Sequence, residues 1–446
     1  MKKKEVIGEP RPTQEGGGEV LTLETALEHC KKNVQTAGGI DAQRLKDTLE
    51  PVWRKCGYRA ALSIGERQRI LVVRDDAAGD FILFSPFLRE LRRIYPDAMI
   101  TLVASPRNEA LAHACPYIDE LICNPMEATG AVAAFSSISE FVQEHLLPRR
   151  FAIGFASRLG VYSMSLLTLY LSGAQTRIGW SQNRRNPLTG KLIRPGWDCL
   201  LSRPVPFYEK APHDVDRNLY LLEDMLHLPI SDRRLEVWYT PREREEALRI
   251  LAEFRSRFTK LYAVVPGASI PMKQWPARKY GETMREIFSH EPQAGCVLLG
   301  GAEDVVAASE VAAMLPGRVI SLAGKLPFRI SAAVMGEMSC YIGNDTGLLH
   351  IAAAQHVPVL CVSCYPSSIG LSSMSIPVRF APYRVPSVTV MPREARGNCH
   401  DVFEYGCNHH QEAHCILGVE KEAVLRAWHE LRERIIRNDI RPLYLR

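Results

Sequence analysis

Buried strands and amphipathic helices alternate in the hydrophobic pattern of this chain from residue 69 onward. The apolar run ILVVR at 70–74 is typical of a buried parallel strand, and apolar residues then recur at helical spacing from Phe84 to Ile94. Strands at 99–103 and 120–123 follow, with a helix near 108–114 between them. This order predicts a βαβαβ beginning with parallel strands.

A second alternation of the same kind begins at LYAVVPG, residues 261–267. Two consecutive parallel α/β domains that face each other across a cleft are therefore expected. In such sheets ligands collect at the carboxyl ends of the strands, where helix N-termini point inward. The predicted elements of this second run are helices at 277–290, 304–314 and 346–354 and strands at 296–300, 319–322, 340–343 and 357–363.

The same patterns divide the chain into five segments. Residues 1–20 are polar and rich in Gly, Pro and Glu, which predicts a disordered tail, and a helical pattern follows over 21–62. The predicted segments are a tail and helical arm at 1–68, a Rossmann-like domain at 69–228, a linker and connecting helix at 229–260, a second Rossmann-like domain at 261–425, and a helix and tail at 426–446.

Composition limits the classes of partner. The chain has 446 residues, 46% hydrophobic and 24% charged, which is ordinary for a soluble protein of two domains. A net charge of +5 suits a phosphorylated partner or an anionic membrane surface and is too small for a histone-like nucleic-acid binder. No secretory signal and no apolar run of about 20 residues is present. Twelve cysteines, mostly single within apolar strands, are typical of reduced thiols, so a cytoplasmic protein is expected.

The segment GNDTGLLH at 343–350 is the strongest candidate for chemistry. It follows an apolar strand and opens a helix, so the amides of Thr346 and Gly347 can point at an anion. Asp345 can accept hydrogen bonds from sugar hydroxyls, and His350 lies one turn into the helix. The alternative is that Asp345 or Thr346 serves only as a helix N-cap.

A second candidate, PGAS at 266–269 followed by Lys273, also leaves the end of a strand. Ser269 can donate a hydrogen bond to the diphosphate of a nucleotide sugar, and Lys273 can neutralise its charge. The spacing is not that of a P-loop. A lone lysine in a loop can equally be a solvated residue.

Carboxylates follow two further predicted strands. Asp80 stands at the start of the first long helix, where it could take a proton from an attacking hydroxyl or could simply cap the helix. Glu303 or Asp304 follows Gly300 and Gly301, a position at which an acidic residue can bind ribose hydroxyls. All of these signals fall at carboxyl ends of strands, and their agreement favours one shared site.

Basic residues concentrate between 158 and 203, where the only acid is Asp198. A basic face in the N-terminal domain would suit a phosphorylated or carboxylated acceptor, and a solvated loop is the alternative. The residues that we assign to this acceptor surface are Arg158, Arg177, Arg184 and Arg185.

Taken together, these segments resemble glycosyltransferase family 9, the heptosyltransferases of lipopolysaccharide core assembly. The resemblance covers about 70–425, and GNDTGLLHIAAA is its most specific block. The matching segments, in family order, are ILVVRDDAAGDFILFSPFLRELRRIYPDA, PGASIPMKQWP, LLGGAED, SLAGKLP and GNDTGLLHIAAAQHVPV.

The resemblance implies a GT-B fold and an inverting transfer without metal or other cofactor. The donor would be a nucleotide sugar, usually ADP-L-glycero-D-manno-heptose, and the acceptor an inner-core saccharide on lipid A at the inner membrane face. By position, Asp80 is similar to the family's catalytic base, and Asp345 would hold the transferred sugar. The other donor-binding residues implied are Ser269, Lys273, Thr346, Gly347, His350, Glu303 or Asp304, and the backbone near Lys325 and Leu326 for adenine.

Two other functions remain open at this point. A nucleotide-sugar epimerase of the same shape would need more acid–base groups and no acceptor surface, which the basic stretch disfavours. A non-catalytic binding protein would not need both Asp80 and Lys273. The cysteines at 399, 407 and 415 are too widely spaced for a compact zinc site, so structural packing is expected there rather than a metal.

Overall fold

The computed structural model describes residues 22–55, 67–124, 130–158, 164–185, 192–194, 196–206, 211–372, 375–396 and 412–446, with only the backbone described at 184–185 and 192–194. The predicted disordered tail at 1–20 lies outside these residues. Within the described ranges, no helix has the length and apolar content needed to cross a bilayer.

The helices agree closely with the periodicity of the sequence. The helical arm forms two helices, as predicted, and the apolar run near 165–173 forms a buried helix. The helices are α1 (Leu23–Ala37), α2 (Ala42–Lys55), α3 (Ala78–Ile94), α4 (Glu109–Ala112), α5 (Ala131–His145), α6 (Met164–Leu171), α7 (Asp214–Leu226), α8 (Pro241–Arg257), α9 (Ala277–His290), α10 (Val305–Met314), α11 (Phe328–Met335), α12 (Gly347–Ala354), α13 (Ile376–Arg379) and α14 (Lys421–Arg437).

The strands include every one that the apolar runs predict. The strands are β1 (Arg69–Arg74), β2 (Met99–Ala104), β3 (Glu120–Cys123), β4 (Ile153–Ala156), β5 (Thr176–Trp180), β6 (Arg184–Arg185), β7 (Leu192–Arg194), β8 (Arg203–Val205), β9 (Lys260–Val265), β10 (Ala294–Leu298), β11 (Val319–Ser321), β12 (Cys340–Asn344), β13 (Val359–Val362), β14 (Ser387–Val390) and β15 (Leu443–Leu445).

Two parallel sheets organise these strands. The first has the order β3-β2-β1-β4-β5-β8, and the second has the order β11-β10-β9-β12-β13-β14-β15. The central strands β9 and β12 are in direct register, with Val264 beside Ile342, so their carboxyl ends lie at the same edge of the sheet. The predicted α/β class is confirmed.

The chain folds into two compact units that do not follow its linear order. The first contains Met1–Asp75, Pro96–Ser105 and Asp119–Phe207, and the second contains Asp76–Tyr95, Pro106–Ile118 and Tyr208–Arg446. Helix α3, which carries Asp80, therefore belongs to the second unit. The domain limits expected from the sequence stay predictions.

The helical arm is part of the core of the first unit. The apolar faces of α1 and α2 are buried among residues of α5, α6 and β1. Trp53 of α2 is fully buried and meets the ring of Tyr170 edge-on, with the ring centroids 4.7 Å apart. Glu50 of the same helix lies 3.5 Å from the buried guanidinium of Arg177. The arm thus supplies both apolar area and a counter-charge to this unit.

The irregular segment between α7 and α8 holds α3 within the second unit. Arg89 donates a hydrogen bond of 2.6 Å to Glu236, and the hydroxyl of Ser231 donates one of 2.6 Å to Glu90. The amide of Glu236 donates to the hydroxyl of Ser85 at 2.8 Å. This segment, which the sequence predicts as a linker, is therefore also hydrogen-bonded to the helix that carries Asp80.

Replacing Trp53 tests the structural role of the arm. Trp53→Ala leaves a large cavity in the first core, so we expect the free energy of unfolding to fall by about 3–5 kcal/mol, measured by urea denaturation. Arg54→Ala changes the exposed neighbouring residue and should stay within about 0.5 kcal/mol of the unaltered protein. A loss below about 1 kcal/mol for Trp53→Ala would show that the arm is not part of the core.

Candidate functional site

Asn344, the last residue of β12, joins the loop that follows β9 to the loop that follows β12. Its side-chain amide is fully buried and donates to the carbonyls of Pro266 and Gly267 at 2.8 and 3.1 Å. Its carbonyl oxygen accepts from the amide of Trp275 at 3.1 Å and from the hydroxyl of Tyr280 at 2.8 Å. Three of these bonds fix the position of the loop at 266–275 relative to the start of α12, and the fourth ties the same junction to α9.

Lys273 and Asp345 meet at this junction. The ammonium of Lys273 lies 2.7 Å from Oδ2 of Asp345, and their side chains are 22% and 16% exposed. Burial alone would raise the pKa of Asp345, but the neighbouring ammonium outweighs burial and holds that pKa below its ordinary value. The same pairing offsets the burial of Lys273 and raises its pKa. Both groups are therefore charged at neutral pH.

The N-terminus of α12 has no side-chain cap. Thr346 occupies the N-cap position, but its side chain makes no capping hydrogen bond, and its hydroxyl lies 3.3 Å from the hydroxyl of Tyr341. Helix geometry gives the first amides of α12 no acceptor within the helix. The interpretation of Thr346 as a mere side-chain cap is therefore not supported, and the helix end suits a phosphate.

Two glycines bring the N-terminus of α3 against that of α12. A β-carbon at position 79 would lie 2.9 Å from Cδ2 of His350 and 3.2 Å from Cα of Gly347. Such distances leave no room for a larger residue at position 79 without movement of α12. Asp80 follows Gly79 in the first turn of α3, where the N-cap residue Ala77 makes no side-chain capping bond. The structure therefore places Asp80 in the same unit as Lys273 and Thr346, beside the residue that touches α12.

His350 is the α12 side chain that lies against Gly79. It is 4% exposed, and among the described residues its Nδ1 has no hydrogen-bond partner. Burial is the largest cause that lowers its pKa, to about 4, and the nearby Asp345 only partly opposes this. The imidazole is neutral at pH 7. The folded state loses stability as the pH falls below the ordinary histidine value of 6.5 toward about 4, because the buried ring resists protonation.

The two acidic candidates after β10 have different surroundings. Glu303 is exposed, whereas Asp304 is buried and accepts a hydrogen bond of 2.9 Å from the amide of Gly301. A β-carbon on Gly267 would lie 1.7 Å from Oδ1 of Asp304, so this carboxyl packs directly against the glycine of the neighbouring loop. Burial raises the pKa of Asp304. Asp304 is thus a structural contact of the loop, and Glu303 is the carboxylate that a ligand can reach.

The remaining donor candidates lie on loops of the same unit. Ser269 is exposed in the loop after β9. Lys325 is exposed and donates to the carbonyl of Ser321 at 2.8 Å, and Leu326 is half-buried. These residues follow β9 and β11, whose carboxyl ends lie at the edge of the sheet where β12 also ends.

The arginines of the expected acceptor surface are divided by the fold. Arg158 is exposed, but Arg177 is 3% exposed and donates to the carbonyls of Leu200 and Ala174 at 2.7 and 2.8 Å. Because its guanidinium is buried and hydrogen-bonded inside the first unit, Arg177 cannot be part of an acceptor surface, and that prediction was wrong. The side chains of Arg184 and Arg185 lie outside the described residues, and their assignment stays a prediction.

Asn344 and Gly79 are two residues of the candidate site to which the sequence pattern assigned no role. Both stand inside quoted motifs, GNDTG and AGDF, directly before an assigned carboxylate. Their position next to an assigned carboxylate is the signal from which a role in the site could have been predicted. Their actual contacts depend on loops far apart in the chain.

Cysteines and acids form no metal site in the part of the chain that the structure describes. No group of three or more His, Cys, Asp or Glu side chains there could hold a metal ion. Cys399 and Cys407 lie outside the described residues. Cys415 is buried, and its sulfur accepts a hydrogen bond of 3.4 Å from the amide of Arg396.

Two parallel α/β sheets, with charged residues and a helix N-terminus at the strand ends of the second, are the architecture of the GT-B fold. The chain belongs to glycosyltransferase family 9 (heptosyltransferase), because the sequence model of that family matches residues 161–396. Both the predicted fold class and the predicted enzyme class are therefore confirmed.

Known proteins agree with this assignment. The lipopolysaccharide heptosyltransferase 2 of Salmonella typhimurium is 24% identical over 305 residues, 66% of this chain and 82% of the relative. A glycosyltransferase family 9 structure from Veillonella parvula superposes with a TM-score of 0.62 at 21% identity, covering 82% of this chain and 97% of that one. The ADP-heptose heptosyltransferase II of Escherichia coli gives a TM-score of 0.58 at 21% identity, covering 82% and 99%.

Removal of the Asn344 side chain tests the junction. Asn344→Ala leaves two carbonyls, one amide and one hydroxyl without their buried partner, so we expect the free energy of unfolding to fall by about 2–4 kcal/mol in urea denaturation. Ser269→Ala alters an exposed residue of the same loop and should cost less than about 0.5 kcal/mol. Equal, small effects of both substitutions would contradict the structural role of Asn344.

Proposed function

We propose that this protein transfers a heptose from ADP-heptose, with inversion at the anomeric carbon, to a saccharide carried on a lipid. The observation that supports this most strongly is the uncapped N-terminus of α12 beside the Lys273–Asp345 pair, with the helix of Asp80 packed against it. This arrangement offers an anion site, hydroxyl acceptors and a base within one unit.

The diphosphate of the donor lies at the N-terminus of α12. The amides of Thr346 and Gly347 donate to its oxygens, and the helix dipole favours its negative charge. Lys273 has three N–H donors. One donates to the Asp345 carboxylate at 2.7 Å and a second to the Asp345 backbone carbonyl at 3.5 Å, so the third can bind a phosphate oxygen while both bonds remain. Ser269, exposed in the neighbouring loop, adds a hydroxyl donor.

Asp345 orients the sugar. Its carboxylate accepts hydrogen bonds from sugar hydroxyls, and the lowered pKa keeps it ionised and therefore able to accept. The stabilisation that folding gains from this ionised group is present above the ordinary aspartate pKa and is lost as the pH falls below it. One carboxylate thus serves both the sugar and the lysine that holds the diphosphate.

Asp80 acts as the general base. The acceptor hydroxyl oxygen attacks the anomeric carbon as its proton passes to the Asp80 carboxylate, and the bond from that carbon to the diphosphate breaks. The leaving nucleoside diphosphate keeps the electron pair, and the α12 amides and Lys273 stabilise its charge. Attack from the side opposite the leaving group inverts the anomeric configuration.

The nucleoside is read by the loops after β10 and β11. Glu303 accepts from the ribose hydroxyls because it is the exposed carboxylate, whereas Asp304 is buried against Gly267. The backbone near Lys325 and Leu326 contacts the adenine. The heptosyltransferase II of Escherichia coli is an ADP-heptose enzyme, which supports adenine as the base.

The acceptor is an inner-core saccharide of lipopolysaccharide, reached from the cytoplasmic side of the membrane. This rests on the name of the Salmonella relative, a lipopolysaccharide heptosyltransferase, and on basic residues that can meet an anionic acceptor. Arg158, which is exposed, and Arg184 and Arg185 are the residues assigned to this contact.

Asp80→Asn tests the base. The amide keeps the size of the side chain but cannot take a proton, so we expect turnover to fall by about 10²–10⁴-fold while the dissociation constant for ADP stays near normal. Steady-state transfer and calorimetric titration measure the two quantities. Asp97→Asn, an exposed aspartate just after α3, is the matched control and should keep its turnover. Near-normal turnover of Asp80→Asn would remove Asp80 from the mechanism.

Lys273→Ala tests the diphosphate site. Loss of a charge-assisted hydrogen bond should weaken ADP binding by about 10- to 100-fold. Thermal shifts with ADP-, GDP-, UDP- and dTDP-sugars on the unaltered protein should be largest for the ADP-linked sugar, because binding to the folded state raises its stability. Lys260→Ala, at the opposite end of β9, is the control and should bind ADP normally. Unchanged affinity in Lys273→Ala would contradict the assignment.

A further inference from the structure

A small recess opens beside Asp345 on one face of the second sheet. The alternate residues of β13 and β14 that face the core of the second unit are Leu360, Val362, Val388 and Val390. Successive side chains of a strand point to opposite faces, so Cys361 and Thr389, which are paired in register, face the other side of the sheet. There they line the recess together with Asp345. The recess is therefore separate from that core and adjoins the carboxylate assigned to the sugar.

The walls of the recess combine apolar side chains with two hydroxyl groups. Leu349 of α12 and the segment 376–382, which includes the ring of Phe380, supply the apolar part. The hydroxyls belong to Ser363 and Thr389. The hydroxyl of Ser363 accepts a hydrogen bond of 3.1 Å from the amide of Tyr365, so its own hydrogen can be donated to a ligand. Such a mixture suits a group that carries both a carbon and a hydroxyl.

The size of the recess limits its occupant. Its enclosed part has room for about one water-sized group, and the rest opens to solvent. A sugar ring is too large for this space. A hydroxymethyl group matches it, because its oxygen can take the enclosed part while its carbon lies against the apolar wall at the mouth.

The wall formed by 376–382 is held in place by hydrogen bonds to the start of α7. Two nitrogens of Arg379 donate to the two carboxylate oxygens of Asp214, both at 3.1 Å. Nδ1 of His213 accepts from the amide of Val215, so Nε2 carries the proton and donates to the carbonyl of Ala381 at 2.9 Å. A wall fixed in this way discriminates by size, because it does not adapt to a larger or smaller group.

We propose that this recess receives the terminal hydroxymethyl group of the transferred sugar and selects a seven-carbon sugar over a six-carbon one. The inference rests on the proposed function, because Asp345 is the residue that orients the sugar there. A site that hydrogen-bonds a substrate hydroxyl discriminates against an analogue that lacks it, since its own polar groups are then left unpaired. Ser363 and Thr389 are thus specificity-determining residues that take no part in breaking bonds.

Calorimetric titration with ADP-heptose and ADP-mannose, without acceptor, tests the recess. ADP-mannose has the same ring but lacks the seventh carbon, so we expect the unaltered protein to bind ADP-heptose about tenfold more tightly. Thr389→Val keeps the size of the side chain and removes its hydroxyl, so it should abolish most of this preference, and Ser363→Ala should reduce it. Both variants should bind ADP normally. Ser387→Ala removes a buried hydroxyl of the same strand outside the recess and should keep the full preference.

Three outcomes would overturn the assignment of the recess. These are equal affinity of the unaltered protein for both sugars, which would leave the recess to water, an unchanged preference in both variants, and an equal loss of affinity for both sugars and ADP in both variants. Transfer of heptose to acceptor is measured separately. A protein that keeps the preference but transfers nothing would contradict the proposed function and not the recess, so the two failures give different results.

Discussion

Close contact between two helix N-termini is the constraint on which the proposed site depends. Gly79 of α3 and Gly347 of α12 approach so closely that a β-carbon on either would touch the other helix, at 3.2 Å and 3.4 Å from the nearest backbone atom. Both helix ends carry partial positive charge, and their meeting makes a place that favours anions. Asp80 stands in the first turn of α3, and the proposed diphosphate site is the first turn of α12.

The charged pair beside this contact depends on buried scaffolding. Asn344 ties the loop after β9 to β12, and this tie sets the distance between Lys273 and Asp345. Burying a lone lysine or a lone aspartate would be costly, so each stabilises the charge of the other. A ligand phosphate can then draw on a cation that is already in place, which reduces the reorganisation needed during the reaction.

Sequence patterns predicted most elements and the strand-end location of the site, because apolar runs and helical spacing are local signals. GNDTG at 343–347 and PGAS at 266–269 fall where expected, at the ends of β12 and β9. Contacts across the chain were not predictable in this way. The burial of Arg177 depends on α2, and the grouping of α3 with the second unit depends on bonds to the segment 227–240. Glu303 rather than Asp304 is accessible to a ligand because Asp304 packs against Gly267, a contact between two loops that are distant in the sequence.

A crystal structure of the protein with bound ADP measures the central claim most directly. The account predicts diphosphate oxygens about 3 Å from the amide nitrogens of Thr346 and Gly347, with the ammonium of Lys273 at a similar distance. It also predicts that Gly79 remains in contact with Gly347. A nucleotide bound with its diphosphate away from the N-terminus of α12, while those amides face solvent, would contradict the account.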